Sequence, residues 1–186
     1  MENNFQFLIY RSAEEDVSIN AVVKDESIWL TQQGMAELFG VQKPAISKHL
    51  KNIFEETYLT DIKDRHKIRN DAELNELLDI LSSSVGSLTN PKKLSDTFKS
   101  VKQVSLHPDT INNYLEYFVD SYLISQSKRY DIKGKKYINT PSKYYFTDMG
   151  LRNARLNFRQ FEETHIMENV IYNELKIMGF NVDVGV

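Results

Sequence analysis

The first thirty residues carry apolar and polar side chains in an order that predicts β-strands. Phe5 to Tyr10 is apolar and aromatic, and Val17 to Val23 alternates. Residues 24–27 (Lys-Asp-Glu-Ser) are typical of a turn and precede the apolar run at residues 28–30. Because a period of two places every second side chain on the same face of a strand, we expect a small antiparallel sheet here.

The pattern then changes to one that predicts two short helices. Thr31 is a residue type that caps helix N-termini, and the helix after it is expected to end near Phe39. Gly40 can adopt a left-handed backbone at no steric cost, so we expect it to form the turn. A second helix is expected from about residue 43 to about residue 54, with Pro44 tolerated in its first turn.

These two helices have the composition of a DNA-binding helix-turn-helix. Ala36 is small where the second helix would cross the first, and the apolar residues expected to hold the pair together are Met35, Phe39, Val41, Ile46 and Leu50. The residues left facing outward, and therefore predicted to contact DNA, are Gln42, Lys43, Ser47, Lys48 and Lys51. In the major groove, glutamine can pair with adenine, and lysine can contact guanine or a phosphate. The alternative is an ordinary helical hairpin with a solvated lysine face.

Helical spacing recurs in the rest of the chain. Three helices with an apolar stripe are expected. In a helix from 71 to 81 the stripe is Leu74, Leu77, Leu78 and Leu81. In a helix that begins at Pro108 it is Ile111, Tyr114, Leu115 and Phe118, and in a helix from 164 to 178 it is Ile166, Val170, Ile171 and Leu175. Asn90-Pro91 is expected to open a further helix to about residue 99. Strands are predicted at 122–124, 143–147 and 180–184, and a linker near 55–70.

Part of this second region predicts a winged helix. The helices at 91–99 and 108–120 would form its core, and strands near 122–130 and 143–147 would form a wing with a basic loop at its tip. The residues predicted to reach DNA are Asn112, Asn113, Lys128, Arg129, Lys133, Lys135 and Lys136. The alternatives are that this module contacts protein, or that the lysine-rich hairpin is only solvated.

Composition limits the class of protein. The net charge is −3, and residues 1–60 hold five basic against nine acidic residues, whereas residues 122–161 hold nine against two. Any contact with nucleic acid is therefore expected from the second region or from a locally basic element of the first, such as the segment from Gly40 to Glu55, which has no acidic residue between its ends. There is no cysteine, no secretory leader pattern and no apolar run long enough for a membrane helix, so we expect a cytoplasmic protein without membrane contact.

No pattern of residues points to catalysis. The histidines at 49, 66, 107 and 165 are widely separated, and no G-x-x-x-x-G-K-[ST] loop is present to hold nucleotide phosphates. We therefore expect a non-enzyme with no catalytic residues, no cofactor, no metal site and no ATPase activity. An enzymatic function would require a catalytic partner chain.

One part of the chain resembles a known family. Residues 2–56 resemble the N-terminal part of RhuM-type virulence-associated proteins, and the matching stretch is FLIYRSAEEDVSINAVVKDESIWLTQQGMAELFGVQKPAISKHLKNIFEE. That resemblance implies a DNA-binding-like N-terminus.

A second resemblance covers residues from about 51 to 186. The stretches IFEETYLTDIKDRHKI, LLDILSSSVGSLTNPKKLSDTFKS, DTINNYLEYFVDSYLI, RYDIKGKKYINTPSKYYFTDMGLRNA and HIMENVIYNELKIMGFNVDVG resemble the C-terminal domain of unknown function of prokaryotic AAA-like ATPases. The resemblance implies a winged helix followed by a truncated restriction-endonuclease-like fold, in whose first helix Glu168 and Glu174 would lie. Without the other carboxylates of a nuclease site, these two are interpreted as solvated. The two resemblances meet at KNIFEE, so a gene fusion is favoured over an ordinary two-domain protein.

The expected fold class is therefore α+β in three segments. Residues 1–56 would form a β-hairpin with a helix-turn-helix, residues 57–160 a winged-helix-like domain, and residues 161–186 the truncated nuclease-like helix and strand. We expect a non-catalytic protein that binds duplex DNA, as a transcriptional regulator or a mobile-element or virulence-associated protein, with a homodimer favoured because single helix-turn-helix units usually pair. The alternative is a detached ATPase module that acts in protein–protein interaction through its winged helix.

Overall fold

Three short strands form a small antiparallel sheet at the N-terminal end, as predicted. The computed structural model describes residues 6–11, 18–24, 27–69, 71–129, 141–159 and 162–184. Strand β1 (Gln6–Arg11) pairs with β2 (Ser18–Lys24), which pairs with β3 (Ser27–Trp29). The β-branched residues of β2 favour an extended backbone because their two heavy atoms on Cβ pack well on a pleated surface.

The chain divides into two compact units, Met1–Asn52 and Ile53–Val186. In the first unit the sheet is followed by helix α1 (Gln32–Leu38) and by α2, which begins at Lys43 and ends at Ile53. Both helices lie where the sequence predicts them.

The second unit is mainly helical and contains one further two-stranded sheet. Its elements are a π-helix (Phe54–Leu59), α3 (Thr60–His66), α4 (Asp71–Ser83), α5 (Pro91–Thr97), a second π-helix (Phe98–Lys102), α6 (Pro108–Asp120), β4 (Ile124–Ser127), β5 (Lys143–Phe146), α7 (Met149–Arg155) and α8 (Glu163–Ile177). Strands β4 and β5 pair antiparallel. None of the described helices is long and apolar enough to cross a membrane.

Two helices supply the centre of the core in the second unit. The predicted stripes of α4 and α6 are both confirmed: all eight side chains are buried. These stripes could be predicted because spacings of three and four residues place side chains on one face of a regular helix. The core also takes in Phe98 and Leu94 from the α5 region, and Phe146 from β5.

The prediction of a linker near 55–70 is wrong. Residues 54–66 are helical, and Phe54, Leu59 and Ile62 are at most 1% exposed in the core of the second unit. Phe54 and Leu59 are five residues apart, which is the hydrogen-bond spacing of a π-helix rather than of an α-helix. Phe54, Tyr58 and Ile62 nevertheless recur every four residues, as on one face of a helix, so the sequence does carry a helical signal here, and only Leu59 departs from it.

The predicted apolar stripe of α8 does not form its buried face. Ile166, Val170 and Leu175 are half-buried and Ile171 is 52% exposed, whereas the buried residues of the helix are Asn169 and Tyr172.

Two of the predicted strands also differ from the structure. The prediction at 180–184 is wrong, because the segment makes one isolated parallel bridge, between Val184 and Arg129, instead of forming a strand. The strand predicted at 122–124 begins at Ile124, since Tyr122 has a left-handed backbone (φ 58°) in the turn after α6.

Polar side chains attach α8 to the outer edge of β5. The Asn169 carboxamide accepts a hydrogen bond from the Phe146 N–H and donates one to the Phe146 carbonyl, both at 2.7 Å. Asn173 Nδ2 also donates to the Phe146 carbonyl at 2.9 Å. The Asn169 side chain thus satisfies the backbone groups that a third strand would otherwise pair, which explains why an amide rather than an apolar residue is buried here.

Candidate nucleic-acid interface

Helices α1 and α2 are joined by a tight four-residue turn. The Thr31 hydroxyl caps α1 by accepting a hydrogen bond from the Gly34 N–H at 2.9 Å. Gly40 has a left-handed backbone (φ 61°), as predicted, and Val41 N–H donates to the Ala36 carbonyl at 2.9 Å. The turn is therefore held by backbone hydrogen bonds and by a glycine conformation that other residues rarely adopt.

The contact between the two helices is narrower than predicted. Ala36 and Ile46 are 3% and 5% exposed, and Met35 and Leu50 are half-buried, in agreement with the predicted packing. Phe39 and Val41 are 65% and 40% exposed, so the prediction that they hold the helices together is wrong. The buried residues of α1 are Gly34 and Ala36, whose small size allows close approach without help from the side chains that flank the turn.

One face of α2 is strongly basic. Gln42, Lys43, Lys48 and Lys51 are exposed, whereas Ser47 is half-buried. Within the part of the chain that the structure describes, none of these three lysines forms an ion pair, and no carboxylate occurs between Gly40 and Glu55. Pro44, which the sequence analysis did not include among the contact residues, is also exposed, at the start of the same helix.

A side chain of α1 reaches across to α2. Gln32 Nε2 donates to Ser47 Oγ at 3.1 Å, and Ser47 Oγ donates to the Lys43 carbonyl at 3.2 Å. Gln32 could not be predicted as part of the site, because its bond joins residues fifteen positions apart, a separation that no helical periodicity reveals.

The predicted contact residues of the second unit have a different environment. Asn112 and Asn113 are exposed on α6, and Asn112 Nδ2 donates to Glu116 Oε1 at 2.8 Å. The charged side chains of α6 are all acidic: Asp109, Glu116 and Asp120, each exposed.

Of the five basic residues predicted for the wing, two lie among the described residues. Lys128 is exposed and Arg129 is half-buried, whereas Lys133, Lys135 and Lys136 lie outside the described residues.

Several basic residues between 122 and 161 are used inside the second unit. Arg152 is fully buried, and its Nε donates to the Ser82 carbonyl at 2.8 Å. Arg155 forms ion pairs with Glu55 and Asp79. These guanidinium groups hold α7 in the unit, so the basic excess counted from the sequence overstates the charge available to a nucleic acid.

A polar cluster lies between β5 and α8. Glu168 Oε1 accepts hydrogen bonds from Lys143 Nζ and Tyr145 Oη, both at 2.6 Å. Burial works to raise the pKa of Glu168, but the hydrogen bonds from Lys143 and Tyr145 outweigh it and hold the pKa below its ordinary value. Burial and the neighbouring Glu168 raise the pKa of Tyr145. The interpretation of Glu168 as a solvated residue is therefore wrong, because it is an ion-paired contact between α8 and β5.

A small groove lies beside this cluster. It is lined by the paired Lys143 and Glu168, by the exposed carboxylate of Asp183, and by aromatic and aliphatic side chains: Tyr145, Ile171, Tyr172, Leu175, Val182 and Val184. Among the described residues, no three side chains of the metal-binding types histidine, cysteine, aspartate and glutamate come together to hold a metal ion.

Comparison with known proteins gives a family but no activity. An uncharacterized protein of Haemophilus influenzae is 32% identical over 152 residues, which cover 82% of this chain and 38% of the relative. An uncharacterized protein of Methanocaldococcus jannaschii is 32% identical over 148 residues, covering 79% of this chain and 32% of the relative. The chain thus spans about a third of the length of these curated relatives, and no solved structure matches it. Residues 30–162 match a domain of unknown function, DUF8612. The matched segment includes residues of both units. The chain therefore belongs to the DUF8612 family.

Proposed function

We propose that this chain binds duplex DNA without catalysing a reaction, through the outward face of α2. The observation that carries the proposal is the set of exposed lysines on that face, Lys43, Lys48 and Lys51, which pair with no carboxylate among the described residues and lie in a segment that has none of its own. Phosphate contacts need local positive charge even in a chain whose net charge is −3, and α2 supplies it.

The proposed roles follow from position along α2. Gln42 and Lys43 stand at its N-terminal end, where a recognition helix usually reaches base edges in the major groove. Lys48 and Lys51 lie one and two turns further on, and their long flexible stems suit contact with phosphate oxygens. On this proposal α1 and α2 act as a helix-turn-helix, in keeping with the resemblance of residues 2–56 to RhuM-type proteins.

A homodimer fits the same proposal. One recognition helix contacts only a few base pairs, so proteins of this kind usually bind two half-sites about one helical turn apart.

The test is a fluorescence-anisotropy titration of the full chain with a labelled duplex at several salt concentrations. Lys48→Ala and Lys51→Ala are each expected to weaken binding to all duplexes alike and to lower the slope of log K against log salt by about 0.9, the value for one lost phosphate contact. Lys99→Ala is the matched control, because Lys99 is an exposed lysine of the second unit, and it is expected to change neither quantity. Unchanged affinity and slope in both α2 variants would contradict the proposal.

A second candidate function is protein interaction through the unit Ile53–Val186. Two observations favour it. Helix α6 exposes only carboxylates among its charged side chains, and α8 with its C-cap residue exposes Met167, Ile171 and Met178 at positions that share one helix face. This candidate is in keeping with the resemblance to the C-terminal domain of AAA-like ATPases. If the protein partner is a second copy of this chain, Ile171→Glu is expected to dissociate the dimer. Sedimentation of the wild-type chain and of the variant tests this.

A further inference from the structure

The Ser47 hydroxyl on the proposed reading face already has two hydrogen-bond partners inside the protein. It accepts from Gln32 Nε2 at 3.1 Å and donates to the Lys43 carbonyl at 3.2 Å. The side chain is half-buried, so one side of it remains accessible beside the exposed Lys43 and Lys48. Ser47 is therefore a polar group on the exposed side of α2 whose hydrogen-bonding capacity is partly used before any DNA arrives.

The remaining capacity of this hydroxyl is that of an acceptor. A serine hydroxyl has one proton and two lone pairs. Its proton is directed to the Lys43 carbonyl and one lone pair to Gln32, which leaves a single lone pair. Turning the Gln32 carboxamide over would not change this conclusion, because the hydroxyl proton would then go to Gln32 Oε1 and still not be available to a ligand.

The major groove offers few donors to such an acceptor. Adenine presents its N6 amino group and cytosine its N4 amino group, whereas guanine O6 and N7 and thymine O4 are acceptors. A hydroxyl that can only accept forms a hydrogen bond with either amino group, whereas the acceptor atoms of guanine and thymine repel it.

We propose that Ser47 reads an exocyclic amino group, adenine N6 or cytosine N4, and that Gln32 is the positioning residue that preserves this choice, because its hydrogen bond holds the Ser47 side chain where the hydroxyl proton stays on the Lys43 carbonyl. The inference rests on the proposed binding of DNA by α2, and it specifies one base class that α2 selects. Gln32 acts through Ser47 and needs no contact with DNA of its own.

The chain supplies a matched control for Gln32. Gln33 is its neighbour on α1, and the Gln33 carboxamide donates to Glu37 Oε1 at 2.8 Å within the same helix instead of reaching α2. Replacing either glutamine by methionine removes the amide while keeping a similar length and volume. Only the change at Gln32 frees the Ser47 hydroxyl.

The experiment selects preferred duplexes from a randomised library with the full chain and then compares variants on the selected site. Replacing the adenine read by Ser47 with purine, which lacks the 6-amino group, is expected to weaken wild-type binding by about three- to tenfold, the worth of one hydrogen bond. If the position is a cytosine, pyrimidin-2-one replaces it in the same way. Ser47→Ala is expected to bind both duplexes equally, and Gln32→Met to lose most of its preference for adenine or cytosine over guanine or thymine while keeping the wild-type salt slope. Gln33→Met is expected to retain the full preference.

Four outcomes overturn the inference in whole or in part, and they differ in what else they overturn. If Lys48→Ala weakens binding but Ser47→Ala leaves the base preference unchanged at every position, DNA binding by α2 stands and the role of Ser47 falls. If guanine or thymine is preferred at the position that Ser47→Ala alters, the acceptor assignment falls. If Gln32→Met keeps the wild-type preference, the positioning role of Gln32 falls. If wild-type binding does not depend on α2 at all, both the proposed function and this inference fall.

Discussion

The two helical pairs α1–α2 and α5–α6 begin in the same way and present opposite charges. In each pair a seven-residue helix with a side-chain N-cap, Thr31 or Asn90, precedes a longer helix with proline in its first turn. A four-residue turn joins α1 to α2, whereas the π-helix Phe98–Lys102 extends α5 before α6 begins. The longer helix of the first pair exposes three lysines, whereas that of the second exposes three carboxylates and contains no lysine or arginine. The function of each surface therefore has to be argued from its side chains.

The two longer helices also differ in how they are anchored. Four apolar side chains of α6 are buried in the core of the second unit, but only Ile46 of α2 is buried. A helix with one buried residue has most of its surface free to contact a ligand, whereas α6 has most of its length committed to packing. The difference suits α2 to recognition and α6 to support.

The largest expected effect is on the free energy of unfolding. It comes from truncating a buried side chain that anchors one of the two helices. Ile46→Ala and Ile111→Ala each remove a buried isoleucine side chain and are expected to cost about 2–5 kcal/mol. Because Ile46 is the single large apolar side chain that α2 buries, Ile46→Ala is expected to lower hydrogen-exchange protection in the first unit. Ile111→Ala is expected to lower protection in the second unit. Hydrogen exchange resolved along the chain measures this, and equal loss of protection in both units from either variant would contradict separate anchoring.

The fold could be predicted where one helix face carries the packing. The stripes of α4 and α6 were evident because leucines and aromatics recur at three- and four-residue spacing. The helical segment 54–66 could also have been predicted from the four-residue spacing of Phe54, Tyr58 and Ile62, although the π-helix at its start has no such signal. The buried face of α8 could not be predicted, because Asn169 is buried through hydrogen bonds to Phe146, which is distant in sequence.

The candidate site shows the same division between local and distant effects. The exposed lysines of α2 follow from helical spacing and from the glycine turn, both of which are local. Gln32 enters through one contact between helices, and the internal use of Arg152 and Arg155 depends on partners more than 65 residues away. Charge counted along the sequence therefore needs the structure before it can be assigned to a surface.

A smaller effect on stability is expected when the pH is lowered. It tests whether the ion pair between Glu168 and Lys143 stabilises the second unit. The pKa of Glu168 is lowered in the folded chain, so its ion pair with Lys143 stabilises the fold above the ordinary glutamate pKa of 4.5 and is lost as the pH falls through the lowered value. Because both side chains are partly exposed, the contribution is expected to be below about 1 kcal/mol.

The measurement is urea denaturation between pH 7 and pH 3, comparing wild type with Glu168→Gln. The variant is expected to be less stable at neutral pH and to lose less stability on acidification. Glu163→Gln serves as the control on the same helix, since Glu163 is exposed. Parallel pH profiles for wild type and Glu168→Gln would show that the ion pair contributes nothing to the folded state.

The smallest expected effect tests the charge difference between α2 and α6 directly. Asp109→Lys combined with Glu116→Lys gives α6 two cations in place of two exposed carboxylates, and DNA affinity at about 0.15 M salt is expected to stay within about twofold, because exposed charges are screened beyond roughly 8 Å. If α6 instead faced the duplex, two new phosphate contacts would steepen the slope of log K against log salt by about 1.8. The titration is the one that tests Lys48→Ala, so both helices are measured against the same duplex. A steeper slope in the α6 variant would place DNA on the second helical pair, and the division of roles between α2 and α6 would then be wrong.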